Sequence, residues 1–131
     1  MSEAVVRARV AQPQRTPLRR FLDSLAVYES LPVDTLVLPS HGLPFRGIAL
    51  RVAQLRAHHA ARLEELLAAI SSSGANGATA SDLVPTLFRR ELDLQQRFFA
   101  MGEAIAHLNC LWHAGRLERR IAADNTIRFV R

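Results

Sequence analysis

The sequence predicts a mostly helical α+β fold, and three observations support this prediction. Two long stretches, Ile48 to about Ser72 and Leu94 to Ala114, carry apolar residues three and four positions apart, which is the spacing of an amphipathic helix. Prolines and glycines separate these stretches from shorter elements. Near the C-terminus, apolar and polar residues alternate on both sides of a four-residue turn, 122–125, which is typical of a β-hairpin.

The first part of the chain combines an irregular segment, a helix and a short strand. Residues 1–16 are basic and show no periodicity, and Thr16-Pro17 then forms the N-cap and first turn of a helix that ends by about Ser30. The stripe that this helix should bury is Leu18, Phe21, Leu22, Leu25 and Tyr28. A short buried strand is predicted within residues 34–39, followed by a loop that contains His41.

The second part of the chain predicts two long helices, a short helix between them, and the hairpin. The stripe of the first long helix is Val52, Leu55, His59, Leu63, Leu66 and Ile70. The short helix, Ala80–Phe88, begins after Thr79. The stripe of the last helix is Leu94, Phe98, Met101, Ile105, Leu108 and Trp112. Three helices and a hairpin in this order are typical of a winged-helix domain, whose third helix can enter the major groove of DNA.

Composition excludes several classes of protein. The chain has 131 residues, 49% of them hydrophobic, which is enough to bury the core of one domain. No apolar run approaches the ~20 residues that cross a bilayer, and the first residues lack the apolar core of a signal peptide, so we expect a cytoplasmic protein with no membrane partner. The single cysteine, Cys110, excludes an intramolecular disulfide and a cysteine-based zinc site, and we expect it in the core.

The charge of the chain leaves nucleic acid as an alternative partner rather than the favoured one. Arginines supply all 17 basic residues against 12 acids, for a net charge of +5, but residues 1–20 alone carry +4. The rest of the chain is nearly neutral. Its best local case for phosphate contact is the hairpin, where the candidate nucleic-acid-binding residues are Arg116, Arg119, Arg120 and Arg128.

Two segments resemble a known family. Residues 34–47 (DTLVLPSHGLPFRG), followed by a helix with AHHAARL at 57–63, resemble the C-terminal part of metallo-β-lactamase-fold hydrolases that end in a winged-helix tail. Residues 103–108 (EAIAHL) and 115–117 (GRL) resemble the later part of that tail. The resemblance implies that residues 17–47 hold a helix and a short strand from the edge of an αββα sandwich. Residues 48–131 are then a winged-helix-like C-terminal domain.

The same resemblance implies a metal ligand but no complete active site. In this family a histidine after the last strand binds one of two metal ions, zinc in the intact hydrolases, and its counterpart by motif is His41. The family's His-x-His-x-Asp-His cluster lies upstream of the matched segment and is absent from this sequence. Because catalytic zinc needs about three protein ligands, we expect no catalytic residues here and no activity of the chain alone.

The favoured function is therefore an accessory domain that shapes substrate access in such a hydrolase, present here as a truncated, fragmentary or repurposed form. A small-molecule substrate is expected only when a catalytic domain completes the site. The alternative is a stand-alone winged-helix module that binds DNA or another protein. The other histidines do not predict a metal site, since neither the adjacent pair His58 and His59 nor the pair His107 and His113 shares one helix face. In either case, the unpaired strand 35–39 predicts a homo-oligomer.

Overall fold

The computed structural model describes residues 16–131, so most of the predicted irregular N-terminal segment lies outside the described residues. The elements are, in chain order, helices α1 (Pro17–Ser24), α2 (Ala26–Glu29), α3 (Ile48–Ser72), α4 (Ala80–Leu87) and α5 (Leu94–His113), and strands β1 (Glu118–Ile121) and β2 (Ile127–Val130). The predicted mostly helical α+β class is confirmed. Within residues 16–131, no helix combines the length and apolar character that crossing a bilayer requires.

The core lies where α3, α4 and α5 meet under the hairpin. Helix α4 packs against both long helices, and β2 packs on α3 and α4. The buried residues at this junction are mainly leucines, and their side chains together account for most of the apolar area that the core removes from water. They are Leu66, Leu67, Ile70, Ala78, Leu83, Leu87, Ala104, Leu108, Leu111, Leu117 and Phe129.

Reciprocal hydrogen bonds fix where α4 and α5 begin. The hydroxyl of Thr79 accepts from the backbone N–H of Asp82 at 3.1 Å, while the carboxylate of Asp82 accepts from the N–H of Thr79 at 3.0 Å. Asp93 and Gln96 form the same arrangement at the start of α5. The backbone N–H and hydroxyl of Thr79 also lower the pKa of Asp82. Both predicted helix starts are therefore confirmed, together with their capping residues.

The hairpin is tied to the helices through the segment that precedes α4. Strands β1 and β2 pair antiparallel, from Glu118 opposite Val130 to Ile121 opposite Ile127. Ala78 extends this sheet by one residue, since its N–H donates to the carbonyl of Phe129 at 3.0 Å and its carbonyl accepts from the N–H of Phe129 at 2.8 Å. The hairpin predicted around residues 122–125 is confirmed.

Gly77 allows this close pairing. Its φ is +63°, and a Cβ atom at this position would lie 2.2 Å from the carbonyl oxygen of Phe129. A real Cβ cannot approach backbone so closely, so any other residue would have to displace β2 or the segment before α4. The loop between α3 and α4 therefore ends in a position where only glycine fits.

The predicted stripe of α5 is wrong at three of its six positions. Leu94 and Phe98 are 87% and 77% exposed, and Ile105 is also exposed. The buried face is instead Ala100, Ala104, His107, Leu108, Cys110 and Leu111. Alanines on this face let α5 lie close to its neighbours, where a bulky phenylalanine would not fit. The helical period is confirmed, but the core encloses Ala100 and Ala104 on this helix while Phe98 faces solvent.

Two predictions for the first part of the chain need correction. The single helix expected from Pro17 is interrupted at Leu25, and of its predicted stripe only Leu18 and Leu25 are buried, while Phe21 and Tyr28 are exposed. The predicted buried strand at 34–39 is reduced to one antiparallel bridge between Val37 and Phe45. Among the described residues, Val37 pairs with Phe45 on the far side of its own loop, and the other backbone hydrogen bond of this segment joins Thr35 to Pro32 within a turn.

The close approach at Gly77 predicts a large loss of stability in Gly77→Ala. The added methyl group meets the Phe129 carbonyl and must also occupy a left-handed conformation, so we expect a loss of about 2–4 kcal/mol. Chemical denaturation followed by circular dichroism measures this loss. Gly102→Ala is the matched control, because Gly102 lies inside α5 with open space around it and should gain up to about 1 kcal/mol. Equal stability of the two variants would contradict the assigned contact.

The exposed, largely unpaired segment 35–39 predicts self-association of the isolated chain. Leu36 and Leu38 are exposed on residues 35–39, and light scattering at tens of micromolar should detect a dimer or larger oligomer. Leu36→Lys should shift the mass towards that of the monomer, because a charged side chain opposes strand pairing. Leu50→Lys is the control, since Leu50 is similarly exposed but lies on α3. A monomeric parent chain would show this prediction to be wrong.

Candidate functional site

His41 lies at the tip of a loop whose base is held by the backbone. Val37 and Phe45 exchange two hydrogen bonds, of 2.8 and 3.1 Å, and the N–H of Gly47 donates to the carbonyl of Val33 at 3.2 Å. The guanidinium of Arg46 also donates to the carbonyl of Asp34. These contacts present His41 to solvent, with Gly42 beside it in a left-handed turn. The loop is thus preformed, and its imidazole is accessible.

His41 belongs to no cluster of three or more possible metal ligands among the described residues. Within residues 16–131, no group of three or more His, Cys, Asp or Glu side chains is arranged to hold a metal ion. Since a catalytic zinc site needs about three protein ligands, the described residues do not fit such a site by themselves. The identification of His41 as a metal ligand stays a prediction.

Sequence reasoning missed the contact between His59 on α3 and His107 on α5. Nδ1 of His59 lies 3.1 Å from Nε2 of His107, and the two rings lie 5.2 Å apart. Nδ1 of His107 faces the carbonyl oxygen of Glu103 at 2.8 Å. A search for pairs within one helix could not find this contact. The available signal was that the predicted stripe of the first long helix included a histidine, which needs a polar partner if it is buried.

The Glu103 carbonyl sets the proton positions in this pair. A carbonyl oxygen only accepts, so Nδ1 of His107 must carry a proton and donate it. In the neutral ring Nε2 is then an acceptor, and His59 donates to it from Nδ1. His107 is only 1% exposed, so water does not supply its hydrogen bonds. The Glu103 carbonyl and His59 provide partners for its two nitrogens instead.

Burial lowers the pKa of His59 below its ordinary value of 6.5. The neighbouring His107 and His58 lower it further, whereas the carboxylate of Glu103 opposes the shift. The folded chain therefore favours the neutral imidazole of His59. His58 is exposed, and its ring meets that of His59 edge to face at a centroid distance of 5.4 Å.

Three of the four candidate nucleic-acid-binding arginines of the hairpin, Arg116, Arg119 and Arg120, are engaged within the protein. Arg116 pairs with Glu64 at 2.8 Å, and Arg120 pairs with Glu118 at 2.7 Å. The guanidinium of Arg119 lies 4.6 Å from the centre of the Trp112 ring, and burial lowers its pKa. Arg128 faces Arg120 across the sheet, near the carboxylates of Asp82 and Asp124. Phosphate contact would compete with these interactions.

Cys110 lies in the core, as its sequence context predicts. It is buried on α5, and burial raises the pKa of its thiol. A thiol held in its protonated form is a poor nucleophile, so this side chain contributes packing rather than chemistry.

The lowered pKa of His59 predicts that acid destabilises the folded chain. As the pH falls through about 6.5, the unfolded chain binds a proton at this position that the folded chain does not, so the free energy of unfolding decreases. Urea denaturation at about pH 7.5 and about pH 5.5 should show this decrease, and His59→Gln should reduce it. His41→Gln, which changes an exposed loop histidine, should leave the decrease intact. An unchanged decrease in His59→Gln would exclude this origin.

Comparison with known proteins places this architecture in a family. A family model described as the C-terminal domain of metallo-beta-lactamase-like proteins matches residues 63–131. A beta-lactamase domain protein from Burkholderia ambifaria is 52% identical, with a TM-score of 0.84, and the match covers 91% of this chain and 34% of that one. A metallo-beta-lactamase family protein from Thermus thermophilus is 32% identical, with a TM-score of 0.71, over 90% of this chain and 34% of that one. Among curated proteins, none matches.

The chain thus spans about a third of the length of these two solved structures. The match to the family model covers more than half of the chain, and both structural matches cover about nine-tenths of it. The chain therefore belongs to the metallo-beta-lactamase-like family, in which it corresponds to the C-terminal part.

Proposed function

We propose that this chain acts as the C-terminal accessory domain of a metallo-beta-lactamase-fold hydrolase. In this proposal, residues 17–47 complete the edge of the hydrolase sandwich, and residues 48–131 form a winged-helix-like domain that covers one side of the active site. The catalytic residues belong to a part of the hydrolase that this chain does not contain. Membership of the family and the structural matches at 52% and 32% identity support this role.

The observation that carries the proposal is the apolar, unpaired surface around the His41 loop. Val33, Leu38 and Leu43 are 81%, 74% and 85% exposed. The N–H groups of Leu36 and Leu38 donate to no backbone carbonyl of residues 16–131. An apolar strand segment with free backbone groups is suited to pairing with another strand. The matched structures are about three times as long as this chain, so their remaining residues are long enough to supply that strand.

His41 gains a metal-binding role in this assembly. Its imidazole is exposed at the loop tip, beside the surface that we assign to the catalytic part. It would provide one ligand, while the other ligands to zinc come from outside this chain. Bound zinc would supply an activated water for hydrolysis. The contribution of this chain is to hold the loop in place through the Val37–Phe45 pairing and to restrict access to the site.

The engaged arginines of the hairpin weigh against the alternative of a stand-alone DNA-binding module. Arg116 and Arg120 hold ion pairs with Glu64 and Glu118, and Arg119 lies over Trp112. The exposed residues of α5, the helix that would enter the major groove, include Leu94, Phe98 and Phe99. Such a face suits apolar contacts better than base edges or phosphates.

Complementation tests the proposed role directly. The Burkholderia ambifaria protein, shortened to remove the region that matches this chain, is produced together with the full 131-residue chain. We expect a 1:1 complex that retains about two zinc ions after dialysis, whereas the chain alone retains none. Metal content by mass spectrometry and the mass in solution measure both outcomes.

Variants of two histidines separate a metal-binding role from a structural one. His41→Ala should preserve the complex but lose about one zinc ion and the hydrolase activity. His58→Ala is the matched control, because His58 is an exposed histidine on α3, and it should change neither. Stoichiometric zinc on the chain alone that persists in His41→Ala would show the proposal to be wrong. A complex whose zinc content is the same in both variants would remove His41 from the site.

A further inference from the structure

A cavity of about 360 Å³ lies between α4 and the first half of α5, and the turn that joins these helices forms part of its wall. Its floor includes Val84, Phe88 and Met101, and its polar lining includes Arg90, Glu91 and Arg97. The volume lies in the range of small-molecule sites, which combine an apolar lining with a few polar groups. The cavity is separate from the His41 loop, since its lining comes from the segment 81–101.

The two arginines of this cavity differ from those of the hairpin. Nε of Arg97 donates to the carbonyl of Leu92 at 3.1 Å, which positions the guanidinium and leaves its terminal amino groups without partners among residues 16–131. Arg90 makes no hydrogen bond or ion pair with any of these residues. Glu91 is the only acid in the lining, so the cavity carries a net positive charge.

The combination of charge and shape points to the class of ligand. A guanidinium presents a fork of N–H donors that matches the two oxygens of a carboxylate or phosphate group. The adjacent floor of Val84, Phe88 and Met101 would take an apolar group out of water. A neutral apolar molecule would leave both arginines without partners, and a small inorganic anion would leave the floor uncovered.

We propose that this cavity binds an organic anion in which a carboxylate or phosphate group is attached to an apolar body. The anion faces Arg90 and Arg97, and the apolar body lies against Val84, Phe88 and Met101. All of these residues belong to this chain, and none of them lies in the His41 loop. The site therefore does not depend on the proposed hydrolase role, and its test needs no catalytic partner.

Amide chemical shifts of the isotopically labelled full chain provide the test, with octanoate as the probe. Octanol carries the same apolar body without charge, and acetate carries the same charge without the body. We expect octanoate to shift amides within residues 84–101, with a Kd on the order of 1 mM for a ligand of this size. Octanol and acetate should each bind at least about fivefold more weakly than octanoate. A parallel titration with octyl phosphate distinguishes phosphate from carboxylate ligands. Whichever of the two anions binds more tightly carries the group that the cavity prefers, and either result supports the site.

Three arginine variants decide the role of charge. Arg90→Gln and Arg97→Gln should each weaken octanoate binding by about three- to tenfold. Arg89→Gln is the matched control, because Arg89 is exposed and adjacent but does not line the cavity, and it should change binding less than about twofold. Equal binding of octanol and octanoate, or equal affinities in all three variants, would overturn the proposal. Shifts confined to residues 31–45 would do so as well, since they would place the ligand on the exposed apolar loop.

Discussion

The pairing of Ala78 with Phe129 is the contact on which the C-terminal architecture depends. A hairpin of two four-residue strands is marginally stable alone, and these two hydrogen bonds connect it to the segment that leads into α4. Phe129 is thereby held in the core cluster that also contains Leu83 and Leu66. Gly77 makes this approach sterically possible. The contact joins positions about fifty residues apart, so it stabilises the whole domain rather than one element.

The local features of this fold could be predicted from sequence, while the choice of helix face could not. Thr79 and Asp93 mark helix starts because their side chains satisfy nearby backbone N–H groups, which is a short-range effect. The buried face of α5 is a long-range effect. Ala100 and Ala104 are enclosed because other helices lie close to them, whereas Phe98 faces solvent. Side-chain hydrophobicity alone ranks these residues in the opposite order.

In the candidate site, too, short-range features could be predicted from the sequence and long-range contacts could not. Position after a strand-forming segment and resemblance to a family together identified His41, and its loop is closed by contacts within fifteen residues. The contact between His59 and His107 spans forty-eight residues and depends on how α3 crosses α5. Likewise, the sequence shows that the hairpin is rich in arginine, but only the fold shows that Arg116 reaches Glu64 on α3. A charge count does not show that Arg116, Arg119 and Arg120 are engaged within the protein.

The histidine pair has a consequence for how α3 and α5 are aligned. Leucine contacts tolerate sliding of one helix along another, because one methyl group can replace another at little cost. The sequence of donors and acceptors from His59 through His107 to the Glu103 carbonyl has no such freedom. A displacement by one helical turn would leave Nε2 of the enclosed His107 imidazole without the hydrogen bond that it accepts from His59, at a cost of about 1–3 kcal/mol. The hydrogen bond between His59 and His107 therefore favours one alignment of α3 and α5 among several that apolar packing would allow.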